Sequence, residues 1–368
     1  MCAALVANAP APARGAARAG PSASCGGAWG ARCEHVPRPG GRARRGPACR
    51  AERLQRGEPF IVPADAPTVV TGVSKVVGAD IVGEGPAPGA QSPLEFSYGD
   101  DHTAHYLHVR GPGTVVRIER SRFVNVGLRV EDGARLELAD CRILDPPGSG
   151  IHVRGAGSVV EVEGGEVTGG VTGVLASDGG TARLRNAVVY SSEEACVCAG
   201  GEGSSVRVVG GRVGGAWGCG VYVGGGAAGR LSSVTVAENG GAGVVCNGGF
   251  EPDPACASAV VLDGANVYGC GTWGVYAASG GRVLLRSVDA RDNAAGSVRS
   301  FGEGSRVEVG EWCSLDGVSR GTDLSGLCGG GGSVAAFGAE HRADAGLGWE
   351  DASPGLAERA EAPSHTIQ

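Results

Sequence analysis

The chain has 368 residues and a formal net charge of -7, with 69 Gly, 13 Cys and only 5 % aromatic residues. Glycine at this level without a Gly-X-Y period excludes collagen, and 42 % hydrophobic residues exclude a chain too polar to bury a core. Ten Arg against two acids in residues 1–56 leave the remainder near -15 (22 basic, 37 acidic), which argues against nucleic acid as a partner. No run of 18 apolar residues reads as a transmembrane segment.

Residues 1–56 come first. They lack a basic n-region followed by a long apolar stretch, so a secretory signal is not expected. Their Arg- and Ala-rich, acid-poor composition suits a disordered segment or an organelle transit peptide. An intracellular or organellar setting is therefore expected rather than secretion. Residues 57–106 are read as an N-terminal cap and irregular first coils. His102, His105 and His108 fall at its end, but in an extended segment His105 faces away from the other two, so no metal site is expected.

From Leu107 a short pattern recurs: a small residue, an apolar residue, any residue, and a second apolar or small residue. It reads Gly127-Leu-Arg-Val130, Gly150-Ile-His-Val153, Gly173-Val-Leu-Ala176, Ala195-Cys-Val-Cys198, Gly220-Val-Tyr-Val223, Gly243-Val-Val-Cys246, Gly274-Val-Tyr-Ala277 and, in degenerate form, Gly296-Ser-Val-Arg299. The starts are 23, 23, 22, 25, 23, 31 and 22 residues apart. The segment LHVRGPGTVVRIERSRF from Leu107 matches IHVRGAGSVVEVEGGEV from Ile151, two turns later. Each unit holds two further short strands, such as Arg135-Leu-Glu-Leu138 and Cys141-Arg-Ile143. Three strands ended by Gly, Asn or Asp in 22–25 residues make one coil of a triangular solenoid. The 31-residue interval places a looped insertion at Asn247–Cys256. About nine coils fill residues 107–328 with a C-terminal cap, and residues 329–368 read as a disordered tail.

These residues resemble the right-handed parallel β-helix group, also called pectin-lyase-like. The resemblance implies an all-β right-handed solenoid of about 200 residues. Its enzymes include pectate lyases, polygalacturonases and alginate-type epimerases, and other members are recognition or adhesion modules, so the fold does not select a chemistry. The Asn-Thr-Asp, Gly-His-Gly and Arg-Ile-Lys signatures of polygalacturonases are absent from the regular coils, and the single Lys is Lys75.

Alternation places His108, Arg129, His152, Leu175, Val197, Tyr222, Val245, Tyr276 and Val298 on the outward column of the first strand. Tyr222 and Tyr276 around Val245 form a candidate platform for a sugar ring or an apolar peptide. His108, Arg129 and His152 form a candidate polar patch, with no carboxylate evident beside them. On the second strand Arg117, Glu137, Glu161, Arg183 and Arg207 read as a charge ladder rather than a paired-carboxylate site. Asn125, Asn239 and Asn293 are placed at left-handed corners, and Cys196, Cys198 and Cys246 in the interior. No cofactor, metal or catalytic residue is expected. The functional expectation is a non-catalytic module presenting an elongated face to a protein or polysaccharide. The alternative is a diverged lyase, epimerase or hydrolase acting on acidic polysaccharide.

Overall fold

The computed structural model describes residues 60–62, 68–70, 73–83, 106–248, 257–316 and 328–336. Within them the chain winds in turn through three parallel sheets, the third continuing past Asn266–Tyr268 only as isolated bridges at Asp289 and Ser314. The first sheet has eleven strands, from Thr68–Val70 through Tyr106–Arg110 and Gly127–Glu131 to Gly296–Phe301 and Cys328–Gly329. The second also has eleven, from Val73–Val77 to Ser333–Ala336, and the third has nine, from Phe60–Val62 to Asn266–Tyr268. Eleven strands at a spacing of about 4.8 Å make a ladder about 48 Å long.

Every coil contributes its inward residues to one continuous core. The first sheet supplies Leu128, Ile151, Val174, Val197, Val221, Val244, Val275 and Val298. The second supplies Leu136, Val160, Val206 and Leu262 among others, and the third Phe123, Ile143, Val167, Val189 and Val213. Phe123 is the one aromatic ring in this cluster, as the aromatic-poor composition requires. A three-sided tube one side chain deep has room for β-branched and aliphatic groups, each contributing about 1.5–3 kcal/mol when fully buried.

All three corners demand a left-handed backbone at almost every described rung; between the first and second sheets Asp132 and Gly133, Gly155 and Gly157, Asp178 and Gly179, and Gly201 and Gly203 lie at positive φ. Between the second and third sheets stand Arg120, Asp140, Gly164, Asn186, Gly210, Ser233, Gly264 and Ser287, all with φ between 48° and 65°. Between the third and first stand Asn125, Asp145, Gly169, Ser191, Gly215, Glu238, Gly269 and Asp292, also at positive φ. This repeated requirement explains much of the glycine content, because glycine enters that region without a Cβ penalty. Asn125 serves there as expected. Asn239 and Asn293 do not: they are buried just after the left-handed residue and bind the backbone of the adjoining coil. Asn239 Oδ1 accepts from the Ala216 amide at 3.1 Å, and Asn293 Oδ1 accepts from the Cys270 amide at 3.1 Å.

The register corrects two coils of the sequence pattern. Val197, not Cys196, pairs with Val174 and Val221, and Val298 pairs with Val275. The residues at the glycine position are therefore Gly127, Gly150, Gly173, Cys196, Gly220, Gly243, Gly274 and Ser297, spaced 23, 23, 23, 24, 23, 31 and 23. Cys196 and Ser297 had hidden the period because neither is glycine. Cys198 consequently leaves the interior column expected for it and faces outward beside Leu175 and Tyr222, while Val197 and Val298 turn inward. The second-sheet strand Ser333–Ala336 pairs with Arg306–Val309, so the ladder runs past Cys328 into residues expected to begin the tail. Residues 249–256 of the expected insertion, and His102 and His105, lie outside the described residues.

A two-coil alternation underlies the resemblance between Leu107 and Ile151. The corner after the first sheet is long in one coil, as in Gly155-Ala156-Gly157-Ser158 and Gly201-Glu202-Gly203-Ser204. It is short in the next, as in Asp132-Gly133-Ala134 and Asp178-Gly179-Gly180. The hydroxyl of each long corner caps the short corner of the coil before it. Ser158, Ser204, Ser258 and Ser305 accept at 3.0 Å from the amides of Gly133, Gly179, Gly226 and Gly280.

Candidate ligand-binding face

The outer face of the first sheet carries one column of side chains in register: His108, Arg129, His152, Leu175, Cys198, Tyr222, Val245, Tyr276 and Arg299. All six residues singled out as binding candidates, His108, Arg129, His152, Tyr222, Val245 and Tyr276, lie on it. The column divides into a polar half and an apolar half.

In the polar half the missing carboxylate is Glu131, two residues beyond Arg129 on the same face. It is 8 % exposed and surrounded by cations. Its oxygens lie 3.3 Å from His108 Nδ1, 3.2 Å from Arg110 Nε and 3.3 Å from Arg129 Nε. The hydrogen bond from His108 and the two guanidinium charges outweigh burial and hold the carboxyl at about 2. His152 is mostly enclosed and its Nε2 meets Ser177 Oγ at 2.9 Å. Burial first, then the Arg129 and Arg154 charges, push its imidazole down to about 4, so it is neutral near pH 7. Tyr106 closes this end: its ring stands edge-on to His108 with centroids 6.2 Å apart, and its Oη accepts from the Ser149 amide at 2.9 Å. Gly127 is required beneath it, since a Cβ there would run into the Tyr106 ring and the Ser149 carbonyl.

The apolar half is a second hydrophobic cluster, separate from the core and built on the outside of the tube. Ala195, Cys198, Cys219, Ala242 and Val245 are buried in it, and Leu175, Tyr222, Trp273 and Tyr276 pack over them half-exposed. The Arg299 guanidinium stacks 5.6 Å from the Trp273 ring centre. The Asn247 amide donates to Tyr222 Oη at 3.3 Å. Gly224 leaves room for the Tyr222 ring, which a Cβ would meet at 2.7 Å. Trp217, 79 % exposed, projects at the corner entering this strand.

Burial changes the expected roles of two column residues. Val245 is 4 % exposed and His108 is 3 % exposed, so both support their neighbours from below and offer a ligand almost no surface. Their positions are flanked by larger rings, which sequence alternation alone does not reveal. Glu131 was legible from parity with Arg129. Trp273 was not, because it lies three residues before Tyr276, where strict alternation would put it on the opposite face.

On the second sheet Glu137 and Glu161 are neighbours in register, between Arg117 and Arg183. Glu161 accepts from Arg135 Nη2 at 2.7 Å and Arg183 Nη1 at 2.9 Å, and Glu137 lies 2.9 Å from Arg135 Nε. This is a charge ladder in which each carboxylate is neutralised. Among the described residues no group of three His, Cys, Asp or Glu side chains is placed to hold a metal ion, and no helix is long and apolar enough to cross a membrane.

A family model for the right-handed beta helix region matches residues 126–255, the coils that contain the Tyr222 rung and the two-coil alternation. The chain is a right-handed parallel β-helix. No curated protein sequence matches this β-helix. Among solved structures it is similar to the Dettilon tailspike protein, with 11 % identity and a TM-score of 0.32, over 78 % of this chain and 63 % of that one. The β-helix thus spans less than two thirds of that protein's length.

Proposed function

We propose that this β-helix is a non-catalytic binding module that presents the outer face of its first sheet to a polysaccharide. The observation that carries the reading is the apolar cluster on the outside of the tube. A solenoid coil has no structural need for a second hydrophobic cluster beyond its core. Yet Tyr222, Trp273 and Tyr276 are held half-exposed over a buried floor of Cys198, Cys219 and Val245. Rings fixed on a rigid ladder offer flat faces to the C–H faces of sugars at little cost in side-chain freedom. Arg299 at one end, and Arg129 and His152 at the other, supply polar groups for hydroxyls or carboxylates along the same line.

The polar half suits clamping more than proton transfer. A general acid needs a carboxyl raised toward neutrality, whereas Glu131 is held at about 2 and enclosed by three cationic or hydrogen-bonding partners. This favours the binding reading over a diverged lyase, epimerase or hydrolase.

The test is retention of the full chain on a panel of immobilised neutral and acidic polysaccharides, with and without calcium, alongside product analysis of the same polymers. One polymer is expected to retain it without being cleaved. Trp273→Ala and Tyr276→Ala should each weaken retention about tenfold, equivalent to about 1.4 kcal/mol. Glu131→Gln should leave it within about threefold, or about 0.7 kcal/mol. Release of shortened or unsaturated products, or loss of all binding in Glu131→Gln alone, would instead make the face an active site. Retention on protein ligands only would replace the polysaccharide with a protein partner.

A further inference from the structure

The second sheet carries an unbalanced column of charge that the first-sheet reading does not use. Its central outward position runs Lys75, Arg117, Glu137, Glu161, Arg183, Arg207, Arg230, Val261, Leu284 and Glu308 from coil to coil. Up to Arg183 the charges are matched within the protein. Lys75 and Arg117 pair with Glu119, and Arg135 and Arg183 share Glu161. The matching then stops. Arg207 and Arg230 follow Arg183 directly, at about 4.8 Å per rung, and neither makes an ion pair with any described residue. The Nε of Arg230 is buried without a hydrogen-bond partner. Arg185 adds an exposed guanidinium at the end of the Arg183 strand.

We propose that Arg183, Arg207 and Arg230 form a binding site for an anionic glycan, one whose sulfate or carboxylate groups lie along the solenoid axis. Arg183 shares Glu161 with Arg135, but Arg207 and Arg230 on the next two rungs have no acid of their own among the described residues, so like charges stand in register on one face. Guanidinium groups present paired N–H donors suited to sulfate and carboxylate oxygens. The flanks supply hydroxyls: Thr181 Oγ1 and Ser205 Oγ lie 3.1 Å apart on one side of the first two arginines, and Ser232 lies on the other side of Arg230. Beyond Arg230 the column turns apolar at Val261, which is buried, and at Leu284, which is half-buried and leaves some apolar surface for the C–H face of a sugar. Donors and hydroxyls side by side on one face, with an apolar group beyond them, fit a glycan better than an acidic peptide, whose anionic side chains bring no ring hydroxyls.

The inference is independent of the first-sheet reading and is tested separately from it. Dextran sulfate and polygalacturonate oligosaccharides are titrated into the full chain at low and high salt, with neutral dextran and polyglutamate as comparators. At least one anionic glycan should bind, and binding should weaken steeply with salt. The R207S/R230S variant should bind at least tenfold more weakly while melting no lower than the wild type. The charge-matched R122S/R142S variant, altered on the third sheet, should bind as the wild type does. The proposal is overturned if neither glycan binds, or if R122S/R142S loses as much affinity as R207S/R230S. Polyglutamate binding as tightly as the glycans would also overturn it, in favour of an acidic protein partner.

Discussion

Acid should weaken this β-helix through two neighbouring groups whose effects fall in different pH windows. Glu131 is held at about 2 against an ordinary value of 4.5, first by the hydrogen bond from His108 and then by Arg129 and Arg110. A carboxyl whose folded value is depressed stabilises fully above its unfolded value and loses that contribution as pH falls through the folded one. At about 1.4 kcal/mol per pH unit, the depression corresponds to about 3 kcal/mol. Arg110 is half exposed, and solvent screening of its share brings the expected figure to about 2–3 kcal/mol. His152 moves in the same direction for a different reason. Its imidazole is pushed from 6.5 to about 4, chiefly by burial, so the folded state resists protonation. Its contribution is complete above 6.5 and is lost between 6.5 and about 4. Urea unfolding followed by fluorescence, from about pH 8 to about pH 2, reads both windows. His152→Gln should flatten the upper window, and Glu131→Gln should lower stability by about 2–3 kcal/mol at neutral pH but by almost nothing near pH 2. Both groups interact with Arg129, so the double variant should not be additive. If Glu131→Gln and the wild type differ by the same amount at neutral and acid pH, packing and not charge explains the loss, and the argument fails.

Gly220→Ala should cost about 2–3 kcal/mol in thermal unfolding, since its Cβ would stand 2.7 Å from Val236 Cγ1 and 2.8 Å from the Gly243 carbonyl, with no room to yield between coils. Asn239→Ala should cost about 1–3 kcal/mol, because it strands the buried Ala216 amide. A wild-type stability in the Asn239 variant would mean that water replaces the side chain. Cys246 is fully buried and its thiol is pushed up to about 12 by desolvation. It should therefore resist alkylation at pH 8 in the folded chain, mapped by peptide mass spectrometry, and react once the chain is unfolded; rapid labelling before unfolding would contradict the described core.

The sequence alone determined the solenoid. Its period is visible because every coil must repeat the same inward residues and the same left-handed corners, so Gly, Asn and Asp recur at fixed distances from Val, Leu and Ile. Alternation within strands was equally legible, and it placed His108, Arg129, His152, Tyr222 and Tyr276 on one outward column. Register was not legible at Cys196 and Ser297, where the small residue marking the corner is not glycine; only pairing with Val174 and Val275 decides which neighbour turns inward. The tertiary structure also decided which outward residues are exposed. Val245 and His108 share the column with Tyr276 and His152, yet larger neighbours cover them, and burial depends on side chains one coil away. The partners of Glu131 were decided in the same way. They converge from two consecutive coils, 21 to 23 residues apart in the chain for Arg110 and His108, a proximity that exists only once the coils are stacked.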